Sequence, residues 1–135
     1  MRILLDTNVV LDVLLKRVPW VNAASTIWQA IDDKQIDGYI AACTLTDIFY
    51  IARRLTDKSK AQAAVQVCLD AFHICPVEAS TIEMALTLSG TDFEDNVQTA
   101  GAMQSNLEVI ITRDPSGFEA TTIPIMTLTN SSPNI

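Results

Sequence analysis

A chain of 135 residues, 49% hydrophobic and 19% charged, is the size of one compact domain around one core and excludes a second domain of ordinary size. Its formal net charge of -7 excludes a broad electrostatic grip on a polyanion, which needs Lys and Arg on phosphates, unless the acids gather in one place and bound cations neutralise them there. The first residues reach an acid at Asp6 before any apolar run of signal-peptide length, and no stretch approaches a membrane span, so a cytoplasmic, soluble protein is expected.

In chain order, residues 2–5 form a short apolar run that reads as a buried strand. Asp-Thr-Asn follows as a helix start, with Thr7 or Asn8 placed to cap a helix over residues 9–15. Pro19 opens a second helix, on which Ala23, Ile27, Ala30 and Ile31 fall at helical spacing. Residues 38–42 are a second strand. Thr44-Leu-Thr-Asp47 has the form of a capping box opening a third helix, whose buried face is Ile48, Ile51, Ala52 and Leu55. Residues 59–72 are helical with Ala63, Ala64, Val67 and Ala71 in register, and residues 73–77 form a third strand ended by Pro76. Residues 78–88 are helical, Gly90 interrupts, and residues 92–105 resume. Residues 109–112 are a fourth strand closed by the Asp-Pro-Ser-Gly turn signal. Residues 123–128 are a fifth, with Pro124 pointing to an edge position. Residues 128–135 read as a polar, flexible tail. Short apolar strands alternating with helices describe an α/β fold with a mainly parallel sheet, one domain over residues 1–135.

The three cysteines, Cys43, Cys68 and Cys75, form no C-x-x-C pair and sit among apolar neighbours, as buried reduced thiols do. His73, the only histidine, lies in the apolar third strand and reads as a core residue, which disfavours zinc and any Ser-His-Asp or Cys-His arrangement. With four glycines in all there is no glycine-rich phosphate cradle and no nucleophile elbow. The basic groups Lys16-Arg17, Arg53-Arg54 and Lys58 with Lys60 read as solvated helix ends.

The acids are more informative. Singly, Asp6, Asp47, Asp95 and Asp114 each have an ordinary explanation as a helix cap or turn residue. Jointly they do not, because ligands of a parallel sheet bind outside the carboxyl ends of its strands. Asp6 follows the first strand, Asp114 the fourth, and Asp47 the second at short distance. The helix beginning near Asp92 must start at the same edge and carries Asp95 to it. Only Arg113 lies within this group, and strand alternation turns it to the other face. Clustered carboxylates without basic partners raise one another's pKa, and a hard divalent cation, Mg²⁺ or Mn²⁺, resolves the conflict with oxygen ligands alone. Such a site suits phosphodiester hydrolysis.

The segments Leu-Asp-Thr-Asn-Val-Val-Leu-Asp, Leu-Thr-Asp-Ile-Phe-Tyr-Ile, Asp-Phe-Glu-Asp-Asn-Val-Gln-Thr-Ala and Val-Ile-Ile-Thr-Arg-Asp resemble, in order, the successive motifs of PIN domains. The resemblance implies a Mg²⁺- or Mn²⁺-dependent ribonuclease with a five-stranded parallel sheet in the order 3-2-1-4-5, frequent homodimers, and kinship with the VapC-like toxins that pair with an antitoxin protein. It implies Asp6 as central metal ligand with Asp95 and Asp114 beside it, Asp47 as a further acid of the pocket, and Thr7, Asn8 and Thr112 in support. Asp92 and Glu94 read as capping residues nearby. Two departures stand out: Asp47 where many relatives carry Glu, and Thr-Arg-Asp-Pro-Ser-Gly-Phe where the closing motif often reads Thr-Arg-Asn-x-x-Asp-Phe, so that Gly117 supplies no acid. A catalytically silent PIN-like module binding RNA or protein, and a phosphohydrolase of small molecules, are the competing readings. Trp20, Trp28, Phe49 and Tyr50 are candidates for either the core or an apolar groove for an antitoxin.

Overall fold

The computed structural model describes residues 1–119 and 121–128; the expected tail lies outside them except for Leu128. Strand β1 (Arg2–Leu5) carries three consecutive apolar residues and is buried on both faces, as a central strand of a parallel sheet must be. It pairs in parallel with β2 (Asp37–Ala41) on one side and β4 (Val109–Thr112) on the other. The three-residue strands β3 (His73–Cys75) and β5 (Ile125–Thr127) close the edges, giving the order β3-β2-β1-β4-β5. The expected fold and strand order are those observed, with Pro124 directly before the edge strand β5.

Alternation along the strands divides the core. Ile3, Leu5, Ile40 and Ile111 face one way, packing with helices α1 (Thr7–Leu14), α2 (Val21–Asp32), α3 (Ala42–Leu55) and α4 (Lys58–Ala71) through Leu11, Ile27, Ile48 and Cys68. Leu4 and Ile110 face the other way, against Ala102 of α6 (Phe93–Gln104), with α5 (Ala79–Thr87) packed on α6 through Ala85, Val97 and Ala100. Helix α2 presses so closely on β2 that a Cβ at Gly38 would lie 2.5 Å from Ile31 Cδ1. Among the described residues, no helix is long and apolar enough to cross a membrane.

Several local expectations change. Helix α3 starts at Ala42 with no side-chain cap, so Thr44 and Asp47 lie within it rather than forming a capping box, and Leu55 is exposed. Helix α4 starts after Asp57, whose Oδ1 accepts from the Lys60 amide at 2.8 Å. It buries Ala61 and Cys68 while Ala63 and Val67 face solvent. An alanine-rich helix offers several equivalent stripes, and packing on α3 selects the one that Phe72 continues. His73 is exposed at the start of an edge strand, its ring beside Tyr39 at 4.8 Å, and is no core residue. Cys43 is half-buried whereas Cys68 and Cys75 are buried; burial first of all pushes Cys43 up to about 11 and Cys68 to about 12, keeping them as thiols. Leu128 is 1% exposed and its amide donates to the Thr112 carbonyl at 2.7 Å, which holds it against the sheet. Of the four aromatics, Trp28 is buried, Trp20 and Phe49 are half-buried, and Tyr50 is exposed; they do not form one groove.

Helices α1, α2 and α6 end alike. Lys16, Lys34 and Asn106 adopt left-handed backbone, with φ of 53°, 59° and 55°. In each case the next amide, of Arg17, Gln35 or Leu107, reaches back five residues to a helical carbonyl, the Schellman closure that usually employs glycine.

Candidate active site

Asp6 emerges from β1 at the N-cap position of α1 but does not use its side chain as a cap; neither Thr7 nor Asn8 occupies that position. Its carboxylate is instead held from two distant elements, Oδ2 accepting from Thr112 Oγ1 at 2.8 Å and Oδ1 from Gln98 Nε2 at 3.1 Å. Thr112 Oγ1 also accepts from the Asp114 amide at 3.0 Å, so one hydroxyl fixes both Asp6 and the chain leaving β4. Thr7 Oγ1 shares a buried 3.0 Å hydrogen bond with Thr44 Oγ1. This ties the start of α1 to the first turn of α3 and sets the position of Asp47 one turn later. Asn8 Oδ1 accepts from Arg17 Nη1 at 3.2 Å.

Asp95 lies in the first turn of α6, its amide bonded to the N-cap Asp92 Oδ1 at 3.0 Å. Gln98, one turn along, is fully buried and its Nε2 lies between Asp6 and Asp95, 3.5 Å from Asp95 Oδ1. Asp114 fulfils its turn role: Oδ1 accepts from Ser116 Oγ at 2.6 Å and caps the 3₁₀ turn Pro115–Phe118. That turn brings Gly117 against Asp95. A Cβ at Gly117 would lie 1.8 Å from Asp95 Oδ2, and since φ here is not positive, the glycine serves to make room for the carboxylate.

Asp6, Asp47, Asp95 and Asp114 all line a single cleft of 430 Å³ at the carboxyl edge of the sheet, together with Thr7 and Asn8. Thr112 reaches it through Asp6. Asp92 and Glu94 line it too; Asp92 also caps as expected, but Glu94 faces Asp47 and is no cap. The Glu94 carboxyl is pushed up to about 8, first by its close approach to the Asp47 carboxyl, then by burial and the charges of Asp47, Asp95 and Asp92. Asp95 is pushed up to about 7 by burial and by Asp6, Asp92 and Asp114. Burial also raises Asp6, against the lowering pull of Gln98 and Thr112. Asp47 Oδ2 and Gln98 Oε1 are buried without a hydrogen-bond partner.

One cation does line the cleft: Arg54, from the last turn of α3, where a solvated helix end was expected. Arg113 points away, as alternation requires. Its Nε lies 3.5 Å from Asp12 Oδ2 and its guanidinium lies over the Trp20 ring at 5.3 Å. Asp12 is completely buried between Arg113 and Arg17. Both arginines thus pair with Asp12 and not with the cleft acids.

The cleft presents oxygen donors of the kind a hard divalent cation takes. Its carboxylates are mutually repelling, protonated near neutrality in two places, and left with an orphaned buried oxygen at Asp47, all of which a hard divalent ion would relieve. Among the described residues, no three His, Cys, Asp or Glu side chains surround one point closely enough to hold an ion as they stand.

Comparison with protein families matches residues 2–116 to the model described as PIN domain. Comparison with curated proteins gave no match. Among solved structures, the chain is similar to one from the VapBC2 complex of Rickettsia felis bound to promoter DNA, with TM-score 0.76 and 14% identity over 96% of this chain and 100% of that one. It is similar to the FitAcB structure of Neisseria gonorrhoeae, with TM-score 0.70 and 21% identity over 92% and 96%. It is also similar to VapC20 of Mycobacterium tuberculosis, described as a sarcin-ricin loop cleaving toxin, with TM-score 0.66 and 16% identity over 80% and 86%.

Proposed function

The chain belongs to the PIN-domain family, and we propose that it is a Mg²⁺- or Mn²⁺-dependent endoribonuclease, the toxin of a toxin–antitoxin pair acting in the cytoplasm as a homodimer. The observation that carries this reading is the gathering of six carboxylates, with Arg54 as the cation among them, in one cleft at the switch point between β1 and β4, where parallel sheets bind ligands. The toxin pairing is supported by two similar solved structures, VapC20, described as a sarcin-ricin loop cleaving toxin, and a chain of a toxin–antitoxin complex from Klebsiella pneumoniae.

Asp6, Asp95 and Asp114 would hold the cation, and Asp47 adds a further acid. The bound ion supplies a water of lowered pKa and charge for the leaving oxygen of the phosphodiester. Thr112 and Gln98 hold the Asp6 carboxylate in one rotamer, as supporting hydrogen bonds to ligand groups do. Thr7 positions Asp47 through Thr44, and the Asn8 amide, lining the cleft, is held by Arg17. The Glu94 carboxyl, pushed up to about 8 beside Asp47, is an acid in the cleft suited to protonate a leaving oxygen. A silent PIN-like module is favoured by one observation, that the carboxylates do not yet converge on one point.

Calorimetric titration of Mg²⁺ and Mn²⁺ into the wild type and Asp6→Asn, with cleavage of single-stranded and structured RNA in the same buffer, separates the readings. The nuclease binds metal and cuts, and Asp6→Asn does neither while keeping its circular dichroism. A folded wild type that binds no metal and cuts no RNA leaves the silent module.

A further inference from the structure

We propose that the exposed face of α3 forms a nucleotide subsite leading out of the cleft, in which the Tyr50 ring stacks on a base beside the cut and the Arg54 guanidinium takes the phosphate beyond it. The proposal rests on the ribonuclease reading above.

Four α3 residues line the cleft: Asp47, Tyr50, Ile51 and Arg54. Their spacing of three, four and seven places them in a single stripe along the helix. At the rise of an α-helix, Tyr50 stands roughly 4.5 Å and Arg54 roughly 10 Å beyond Asp47 along the axis. Asp47 is half-buried whereas Tyr50 and Arg54 are exposed, so the stripe runs outward from acid to aromatic ring to cation. A nucleic-acid strand offers the complementary order, with the phosphate to be cut at the acids, then a flat base, then the next phosphate.

Both outer residues are without an internal role. Tyr50 is 60% exposed; Phe49 meets it edge to face at 5.2 Å and 90°, which orients the ring without covering it. Arg54 takes part in neither of the ion pairs among the described residues, which use Arg17 and Arg113. In a protein of net charge -7 that repels a phosphate backbone, a free guanidinium beside an open ring is the local feature that admits one.

The test uses the full chain carrying Asp6→Asn, which is not expected to cut, and measures fluorescence anisotropy with labelled single-stranded oligouridine and with its abasic ribose-phosphate counterpart. Tyr50→Ala is expected to weaken oligouridine binding about tenfold, Tyr50→Phe to retain it, and the abasic strand to bind both alike. Arg54→Gln is expected to lower the slope of log affinity against log salt by about one on either strand. Equal oligouridine binding by Tyr50→Ala, or an equal loss on the abasic strand, overturns the subsite and leaves the exposed ring to a protein partner. If the wild type neither binds nor cuts RNA, the nuclease reading and the subsite fall together.

Discussion

Gly117 shows how a residue without a side chain can shape a cleft of carboxylates. The closing motif lacks an acid at 117, and the structure gives the reason in steric terms: the space beside the glycine is filled by Asp95 Oδ2, while Asp114 in the same turn brings its own carboxylate to the cleft. The obstructing atom is the end of a rotatable side chain, so Gly117→Ala should leave the melting temperature nearly unchanged while turning Asp95 aside. Calorimetry should then show Mn²⁺ affinity lowered about tenfold or more, the usual cost of disturbing a ligand's support; unchanged affinity would mean that Asp95 does not need this position. Asp6, Asp47, Asp95 and Asp114 were legible in the sequence because strand ends and the start of an antiparallel-running helix place them, whatever the side-chain details. Glu94, Gln98 and Arg54 were not. Their roles depend on which side of a helix faces the cleft, and that is fixed only by packing. For Gln98 a signal did exist, since it stands one turn from Asp95 on the same helical face.

At the level of elements, the strands and their order could be read from short apolar runs, whereas helix registers could not where composition was uniform. In α4, alanines on several sides made the stripes equivalent, and in α3 the Thr44–Asp47 pair imitated a cap although the helix had begun two residues earlier. Closure of the helices was also hidden, because glycine is its usual marker and here Lys16, Lys34 and Asn106 take the left-handed position. A β-carbon in that conformation costs about 1 kcal/mol, so Lys34→Gly should raise stability by about 0.5–1 kcal/mol, read as a higher urea midpoint with an unchanged slope. Gly38→Ala should act in the opposite direction, lowering stability by about 1–3 kcal/mol as α2 is pushed from β2.

For the molecule as a whole, the cleft couples stability to pH. Asp95 and Glu94 are raised to about 7 and about 8, above the ordinary carboxylate range of the unfolded chain. Between that range and pH 7 to 8 the folded state therefore binds more protons than the unfolded one, and stability falls as pH rises. Thermal melts of metal-free protein should give their highest midpoint near about pH 5 and a lower one near about pH 8. Mg²⁺ should restore the loss at the alkaline end, where the carboxylates are free to bind it. A midpoint that climbs with pH across this window would count against a crowded acidic cleft.

The two hydrogen bonds that hold Asp6 span 92 and 106 residues of sequence. Synthesis proceeds from the N-terminus, so the residue at the centre of the cleft is made first and its two restraints near the end. A nascent chain that has not yet reached Thr112 can neither pair β4 with β1 nor fix that carboxylate. The cleft is thus assembled late, and the interval between translating Asp6 and fixing its carboxylate is written into the order of the strands.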